Sequence, residues 1–241
     1  MQKKLLRHKV IILCGGRGKR LGKITKKIPK PLVKIGPLTI IEHKLKLYEK
    51  QGLRDFIFCV GYKSNILKNF LKKKCRNPIF FDSGVNAGIL KRIYLARKVI
   101  NQSTIISYGD TLANINFRDL LRQHNKSKAI LSIVVAPIQN PFGIVDWDLK
   151  KKAVQFEEKP TLNHFIGYAV VEPNIFNYLN KDIINLQNGK GIVKAIQKLI
   201  LKKLVNVYEF KGLKLITINS LNELKIARAK IGKHFTFDEV L

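Results

Sequence analysis

Acidic residues are scarce in this chain: 16 Asp and Glu stand against 46 Lys and Arg, which leaves a formal charge of +30 over 241 residues. A deficit of that size makes anions the natural partners, with nucleic acid the first class to consider. What would accompany a dedicated nucleic-acid face is also missing. The lysines are spread from Lys3 to Lys233 with only short runs, such as Lys72-Lys73-Lys74 and Lys150-Lys151-Lys152, and no aromatic-interleaved basic stripe, zinc pattern or RNP-like segment appears. Diffuse lysine reads as a solvated surface that still favours anionic small molecules.

Cysteine is equally sparse. Cys14, Cys59 and Cys75 are odd in number and lack CxxC spacing, so neither a disulfide framework nor a zinc site is expected. A reducing cytoplasm fits that usage. The N-terminal apolar run is about five residues, too short for the core of a signal peptide. The longest apolar run, Ala129 to Ala136, falls far below the ~20 residues a membrane helix needs. No internal repeat or low-complexity linker interrupts the chain, and residues 1–241 read as one domain, large enough for a real core.

Strand-like and helix-like segments alternate through the first half. Val10–Cys14, Asp55–Tyr62 and Thr104–Tyr108 are near-continuous apolar runs, with Ile79–Phe81 a shorter one. Between them Ile40–Lys50, a basic segment capped by Ser64 and running to about Lys74, and Gly88–Ile100 carry helical signals. Asn116 caps a further helix to His124. This order predicts a Rossmann-like, doubly wound, mostly parallel α/β sheet, with a small mixed β extension from Ala129 onward. The extension comprises strands over 129–136, 143–148, 153–157 and 165–171, with a turn at Asp148-Leu149-Lys150. A helix over Gly191–Lys203, a strand pair near 205–210 and 213–218, and a last helix from about Leu221 to Gly232 complete the expectation.

The most informative segment is VIILCGGRGKRLGKITKKIPKPL, residues 10–32. A buried strand opens at once into Gly15, Gly16 and Gly18, interleaved with Arg17, Lys19 and Arg20, and Lys30-Pro31 closes it. Backbone N–H groups in such a turn can approach an anion closely, and the cations beside them neutralise phosphate charge. Adjacent glycines after a strand are also ordinary turn chemistry. The spacing is neither GxxxxGK[ST] nor GxGxxG. Gly109-Asp110 places a carboxylate just past another buried strand, at the strand ends where ligands bind in such sheets. A hard oxygen ligand there suits Mg²⁺, which takes one or two carboxylates plus phosphate oxygens.

Leu13 to Leu21 followed by Pro29-Lys30-Pro31 resembles the opening of the sugar-1-phosphate nucleotidyltransferase family, (L/A)-x-G-G-x-G-(T/S)-R-L and a displaced P-K-P, with Lys19 where the family has Thr or Ser. Five further stretches keep the family's order. Phe81–Arg92 looks most like the cytidylyltransferase form of the base segment, shortened and with Ile89 in place of Arg, which tilts the reading toward CTP. Gly109-Asp110 matches the family's metal aspartate. Phe142-Gly143-Ile144-Val145 and Phe156-Glu157-Glu158-Lys159-Pro160 match its sugar segments. Ile218-Asn219-Ser220-Leu221-Asn222-Glu223-Leu224 matches its second metal segment, with an amide, Asn219, at the ligand position. Asn219 and Ser220 also read as helix caps. Phe165 stands where the family has the asparagine that helps hold the sugar.

The resemblance implies a Mg²⁺-dependent enzyme that joins a nucleoside triphosphate to a sugar-1-phosphate and releases pyrophosphate. Such products feed cell-surface polysaccharide synthesis. It carries over Arg20 and Lys30 as the catalytic cations, on the leaving phosphates and the α-phosphate. Leu13, Gly15, Gly16, Gly18 and Gly88 would contact the nucleotide, Gly143 and Glu158 the sugar, and Lys159 the attacking phosphate. Asp110 and Asn219 would hold the metal. The diffuse lysines and short apolar runs lead to an expectation of no dedicated nucleic-acid site and no membrane association, with homo-oligomerisation left open. Three alternatives stay open: a phosphoalcohol acceptor such as phosphocholine, a non-catalytic nucleotide-binding relative, and a nucleic-acid binder.

Overall fold

The apolar runs become the centre of a seven-stranded sheet in the computed structural model, which describes residues 6–210 and 214–235. In chain order the strands are β1 (Lys9–Leu13), β2 (Lys34–Ile35), β3 (Leu38–Thr39), β4 (Asp55–Val60), β5 (Ile79–Asp82), β6 (Thr104–Tyr108), β7 (Thr111–Ala113), β8 (Leu131–Gln139), β9 (Ile144–Trp147), β10 (Ala153–Glu157), β11 (Thr161–Val171), β12 (Val205–Glu209) and β13 (Leu215–Thr217). The helices are α1 (Lys23–Lys27), α2 (Ile40–Glu49), α3 (Ser64–Lys72), α4 (Ile89–Leu95), α5 (Phe117–Ser127), α6 (Lys181–Asn185), α7 (Lys190–Leu201) and α8 (Leu221–His234).

The sheet runs β12-β8-β11-β6-β1-β4-β5. β1 is parallel to both β4 and β6, β4 to β5, and β12 to β8, whereas β11 is antiparallel to β6 and β8. Successive residues of β1 face opposite sides, as the pleat requires. Val10 and Ile12 pack with Leu45, Leu67 and Leu120 of α2, α3 and α5, while Ile11 packs with Ile93 of α4 and Leu199 of α7. Ile11 and Ile12 are fully buried, and each such side chain contributes roughly 1.5–3 kcal/mol. Both faces are covered, which is why these strands read as unbroken apolar runs.

A third apolar cluster lies beside the sheet and supports its carboxyl edge. Leu21, Val33 and Ile35 meet Leu112 of β7, Ile216 of β13, Ile218 and Leu224 of α8. β13 pairs antiparallel with β7, Thr217 opposite Thr111, and Ile218 N donates to Asp110 O at 3.1 Å. This ties the chain's last third to the end of β6. Helix starts follow cap chemistry: Thr39 and Glu42 form a reciprocal capping box on α2, Asn116 caps α5, and Ser220 caps α8.

Four expectations are corrected. The strands near 205–210 and 213–218 are not a pair: β12 extends the main sheet beside β8 and β13 joins β7, position 213 lying outside the described residues. Likewise, β8 and β11 are not an extension but interior strands, and only the β9–β10 ribbon stands apart. Ser64 is not a cap; Lys63, left-handed at φ 51°, holds that place, because the turn before it sends Tyr62 N to Gly15 O. The segment 88–100 is α4 followed by a separate 3-10 turn over Arg97–Val99, where Val99 N turns back to Ala96 O and Ile100 N to Arg97 O.

Candidate active site

Parallel pairing puts Leu13 beside Cys59 on one side and Tyr108 on the other, so three strands end on one edge. The glycine turn leaves the sheet there under backbone control. Gly109 N donates to Leu13 O at 3.1 Å, Cys14 N to Cys59 O at 2.8 Å and Tyr62 N to Gly15 O at 3.1 Å. A side chain at Gly15 would displace Arg92, because a Cβ would stand 1.8 Å from Arg92 Nη1. Gly18 is left-handed at φ 62°, a conformation glycine adopts at no steric cost. Gly16 faces open space, and with Leu13, Cys14, Lys30, Pro31, Gly109 and Asp110 it lines a small cavity of about 50 Å³.

Four predicted side chains from distant parts of the chain converge beside that cavity. Lys30 Nζ donates to Asp110 Oδ2 at 2.5 Å and to Asn219 Oδ1 at 3.4 Å, and Arg20 Nη2 donates to Asn219 Oδ1 at 3.2 Å. Each is anchored by a buried neighbour: Leu21 beside Arg20, Pro31 beside Lys30, Thr111 beside Asp110 and Ile218 beside Asn219. Asn219 is not the α8 cap. Ser220 Oγ accepts from Glu223 N at 3.2 Å, while Glu223 Oε2 accepts from Asn219 N at 2.9 Å and Thr217 Oγ1 at 2.8 Å. The amide oxygen of Asn219 is thereby turned toward the two cations.

This donor set fits a hard cation. One carboxylate and one amide oxygen face the same ammonium, and hard oxygen donors of this kind are the ones that would hold Mg²⁺ together with water and phosphate oxygens. Among the described residues no group of three or more His, Cys, Asp or Glu could form a metal cage.

A wider cleft of about 770 Å³ runs from the glycine turn. Arg17, Gly18 and Lys19 form one wall, and Val85, Asn86 and Ala87 with Gln187 and Asn188 form the other. Gly88 opens α4 and packs on the carbonyl of Leu186, which brings the 186–189 loop onto this segment. Neither Gln187 nor Asn188 was marked by the sequence; only tertiary packing brings them in.

The predicted sugar residues form a separate group. Glu158 and Lys159 pair with each other at 3.3 Å with both side chains more than half exposed, and Gly143 lies under the Phe156 ring. Among the described residues no hydrogen bond or ion pair joins them to the Arg20–Lys30–Asp110–Asn219 cluster. Phe165 packs edge-on against Tyr108 with ring centres 5.8 Å apart, and Tyr108 itself lies against Gly167.

Sequence reading missed Lys44, a buried lysine behind the site. Its Nζ donates to Thr111 O at 2.6 Å and to Tyr168 OH at 2.9 Å, next to Asp110. Helical spacing from Ile41 to Tyr48 places residue 44 on the core face, so the signal was present. Burial lowers its pKa from 10.5 to about 7, against the opposing pull of Asp110 and Cys14. Below pH 7 the amine is charged in both folded and unfolded chains, and the folded state carries the full cost of burying it. As pH rises toward 10 the folded amine is already neutral while the unfolded one still binds its proton, so stability rises. Lys44→Met is therefore expected to stabilise the fold by about 1–4 kcal/mol at pH 6, and by less at pH 9. Melting curves at both values check this; a variant less stable at pH 6 contradicts it.

The nucleotidyl transferase family model matches residues 9–215. A Bacillus subtilis (strain 168) protein named "Probable glucose-1-phosphate cytidylyltransferase" is 30% identical over 200 residues, spanning 72% of this chain and 78% of that one. The D-glycero-alpha-D-manno-heptose 1-phosphate guanylyltransferase of Campylobacter jejuni is 30% identical over 180 residues, spanning 73% and 77%. Among solved structures, HddC from Yersinia pseudotuberculosis superposes with a TM-score of 0.70 at 22% identity, covering 93% of this chain and 99% of that one, a likeness of fold. Among the described residues no helix is long and apolar enough to cross a membrane.

Proposed function

The chain belongs to the nucleotidyl transferase family, and on that premise we propose that it joins a nucleoside triphosphate, CTP by preference, to a sugar-1-phosphate, releasing pyrophosphate. The convergence of Arg20, Lys30, Asp110 and Asn219 beside the glycine turn carries this reading. A phosphate oxygen is anionic at neutral pH and needs no general base, so the protein's task is positioning and charge neutralisation. Gly16 leaves room for the triphosphate against the backbone of the turn. Arg20 neutralises the leaving phosphates and Lys30 the α-phosphate. Lys159 holds the attacking phosphate and Glu158 the acceptor's hydroxyls. Asp110 and Asn219 hold Mg²⁺, which supplies charge stabilisation on the phosphate oxygens when bound.

The preference for CTP rests on the form of the 81–92 segment and on the names of relatives such as the Bacillus subtilis protein. A panel of the four nucleoside triphosphates, each with Mg²⁺ and a set of sugar-1-phosphates, tests both choices by pyrophosphate release. Asn219 offers a sharper test of the metal. Asn219→Asp adds a carboxylate beside Asp110, and because Ser220 is the cap it leaves the start of α8 unchanged. It is expected to tighten Mg²⁺ binding about tenfold or more, since a second anionic oxygen offsets the metal's charge. Unchanged affinity in a metal titration removes Asn219 from the metal set.

A further inference from the structure

Arg92 is 4% exposed, and the hydrogen bonds of its guanidinium go to neutral acceptors. Nη1 donates to Val60 O at 3.0 Å and Ser83 Oγ at 2.5 Å, and Nη2 donates to Val85 O at 3.2 Å. The same group lies against two glycines: a Cβ would stand 1.8 Å from Nη1 at Gly15 and 2.6 Å at Gly61. Among the described residues no carboxylate forms an ion pair with it. Burying an unpaired charge is unfavourable, and an apolar side chain would fill the same volume without that cost.

What the contacts share is their position around the cleft. Val60 ends β4, and Ser83 and Val85 belong to the segment after β5, with Val85 in the cleft wall opposite Arg17, Gly18 and Lys19. Gly15 begins the opposite, phosphate-facing side. One planar fork is therefore hydrogen-bonded to the end of β4 and to the 83–85 segment, while its face packs against Gly15 at the start of the turn and acts as a spacer between the two. Arginine can hold several acceptors at fixed angles, whereas lysine is a single rotating charge.

We propose that Arg92 is a specificity-determining positioning residue, which fixes the gap between the phosphate-facing turn and the wall that meets the nucleotide base. This rests on the nucleotidyltransferase reading of the site. A fixed gap discriminates between bases of different size, and a wall freed from the fork accommodates either. The positive charge behind Gly15 adds to anion binding in both cases, so charge and geometry are separable.

Arg92→Lys keeps the charge and loses the fork. It is expected to reduce the kcat/KM ratio of the preferred nucleoside triphosphate over one of the other ring size by about tenfold, mainly through the KM of the preferred one. The KM for the sugar-1-phosphate should stay within about twofold, since its segment is elsewhere. Ser83→Ala, which removes one acceptor without opening the core, should shift the ratio the same way by less. A cooperatively melting Arg92→Lys with an unchanged ratio overturns the proposal. If that variant does not fold, an unchanged ratio in Ser83→Ala does so. A wild type that takes all four nucleoside triphosphates equally also overturns it while the enzyme reading stands, and one that takes none overturns both.

Discussion

Lys30→Ala is expected to lower turnover by at least about a hundredfold, the scale on which removal of one preorganised charge-stabilising group acts. Lys30 Nζ is the hub of the site, 2.5 Å from Asp110 and 3.4 Å from Asn219, and its side chain is only 12% exposed. A cation held there by an anion and an amide is already oriented before a triphosphate arrives. Its loss also leaves Asp110 facing the incoming phosphates without a counter-charge, so affinity for the nucleotide should fall together with turnover. The fold should persist, because Pro31 and Leu32 supply the buried contacts of that turn. Pyrophosphate release and a melting curve on one sample check both halves. Near-normal release would falsify the assignment of Lys30.

Asp110→Asn is expected to reduce turnover by about a hundred- to a thousandfold with the opposite effect on binding. The substitution is close to isosteric, and the backbone at residue 110 stays tied to Ile218 N. What is lost is the negative charge. Without it the cluster keeps Arg20 and Lys30 but no anion, so a metal-free triphosphate should bind at least as tightly as to wild type. The response of turnover to added Mg²⁺ should vanish, since two neutral amides do not offset a divalent charge. Titrating nucleotide with and without Mg²⁺ separates the two effects. Weaker metal-free binding together with an intact Mg²⁺ response contradicts the role given to Asp110.

The opposite signs of these two results follow from one geometry, and most of that geometry was legible one strand at a time. Gly15 to Lys30 and Gly109-Asp110 are local signals: an apolar run, a turn and a charge, each explained by its neighbours in sequence. Asn219 is different. Its distance in sequence from Arg20 and Lys30 is closed only by the pairing of β13 with β7 and the bond from Ile218 N to Asp110 O. The motif order suggested that residue, but spacing alone left it as a cap.

The misplaced strands fail for a related reason. Two short apolar runs close in sequence resemble a hairpin, and nothing local says that β12 prefers the open edge of β8 or that β13 prefers β7. Non-local pairing decides both. Lys44 was hidden by its own chemistry: a lysine at a core position of α2 reads as surface until Thr111 O and Tyr168 OH are found around it. Gln187 and Asn188 carry no sequence signal, since a loop after α6 becomes a cleft wall only through its contact with Gly88.

The central claim is that attack occurs at the α-phosphorus, with the acceptor's phosphate retained in the product. Phosphorus NMR of wild-type protein with Mg²⁺ and the nucleoside triphosphate and sugar-1-phosphate that the substrate panel selects follows every phosphorus at once. The account predicts equal amounts of pyrophosphate and a nucleoside diphosphate-sugar, neither forming when the sugar phosphate is omitted. Nucleoside diphosphate with a phosphorylated acceptor, or nucleotide hydrolysis indifferent to the acceptor, would contradict it.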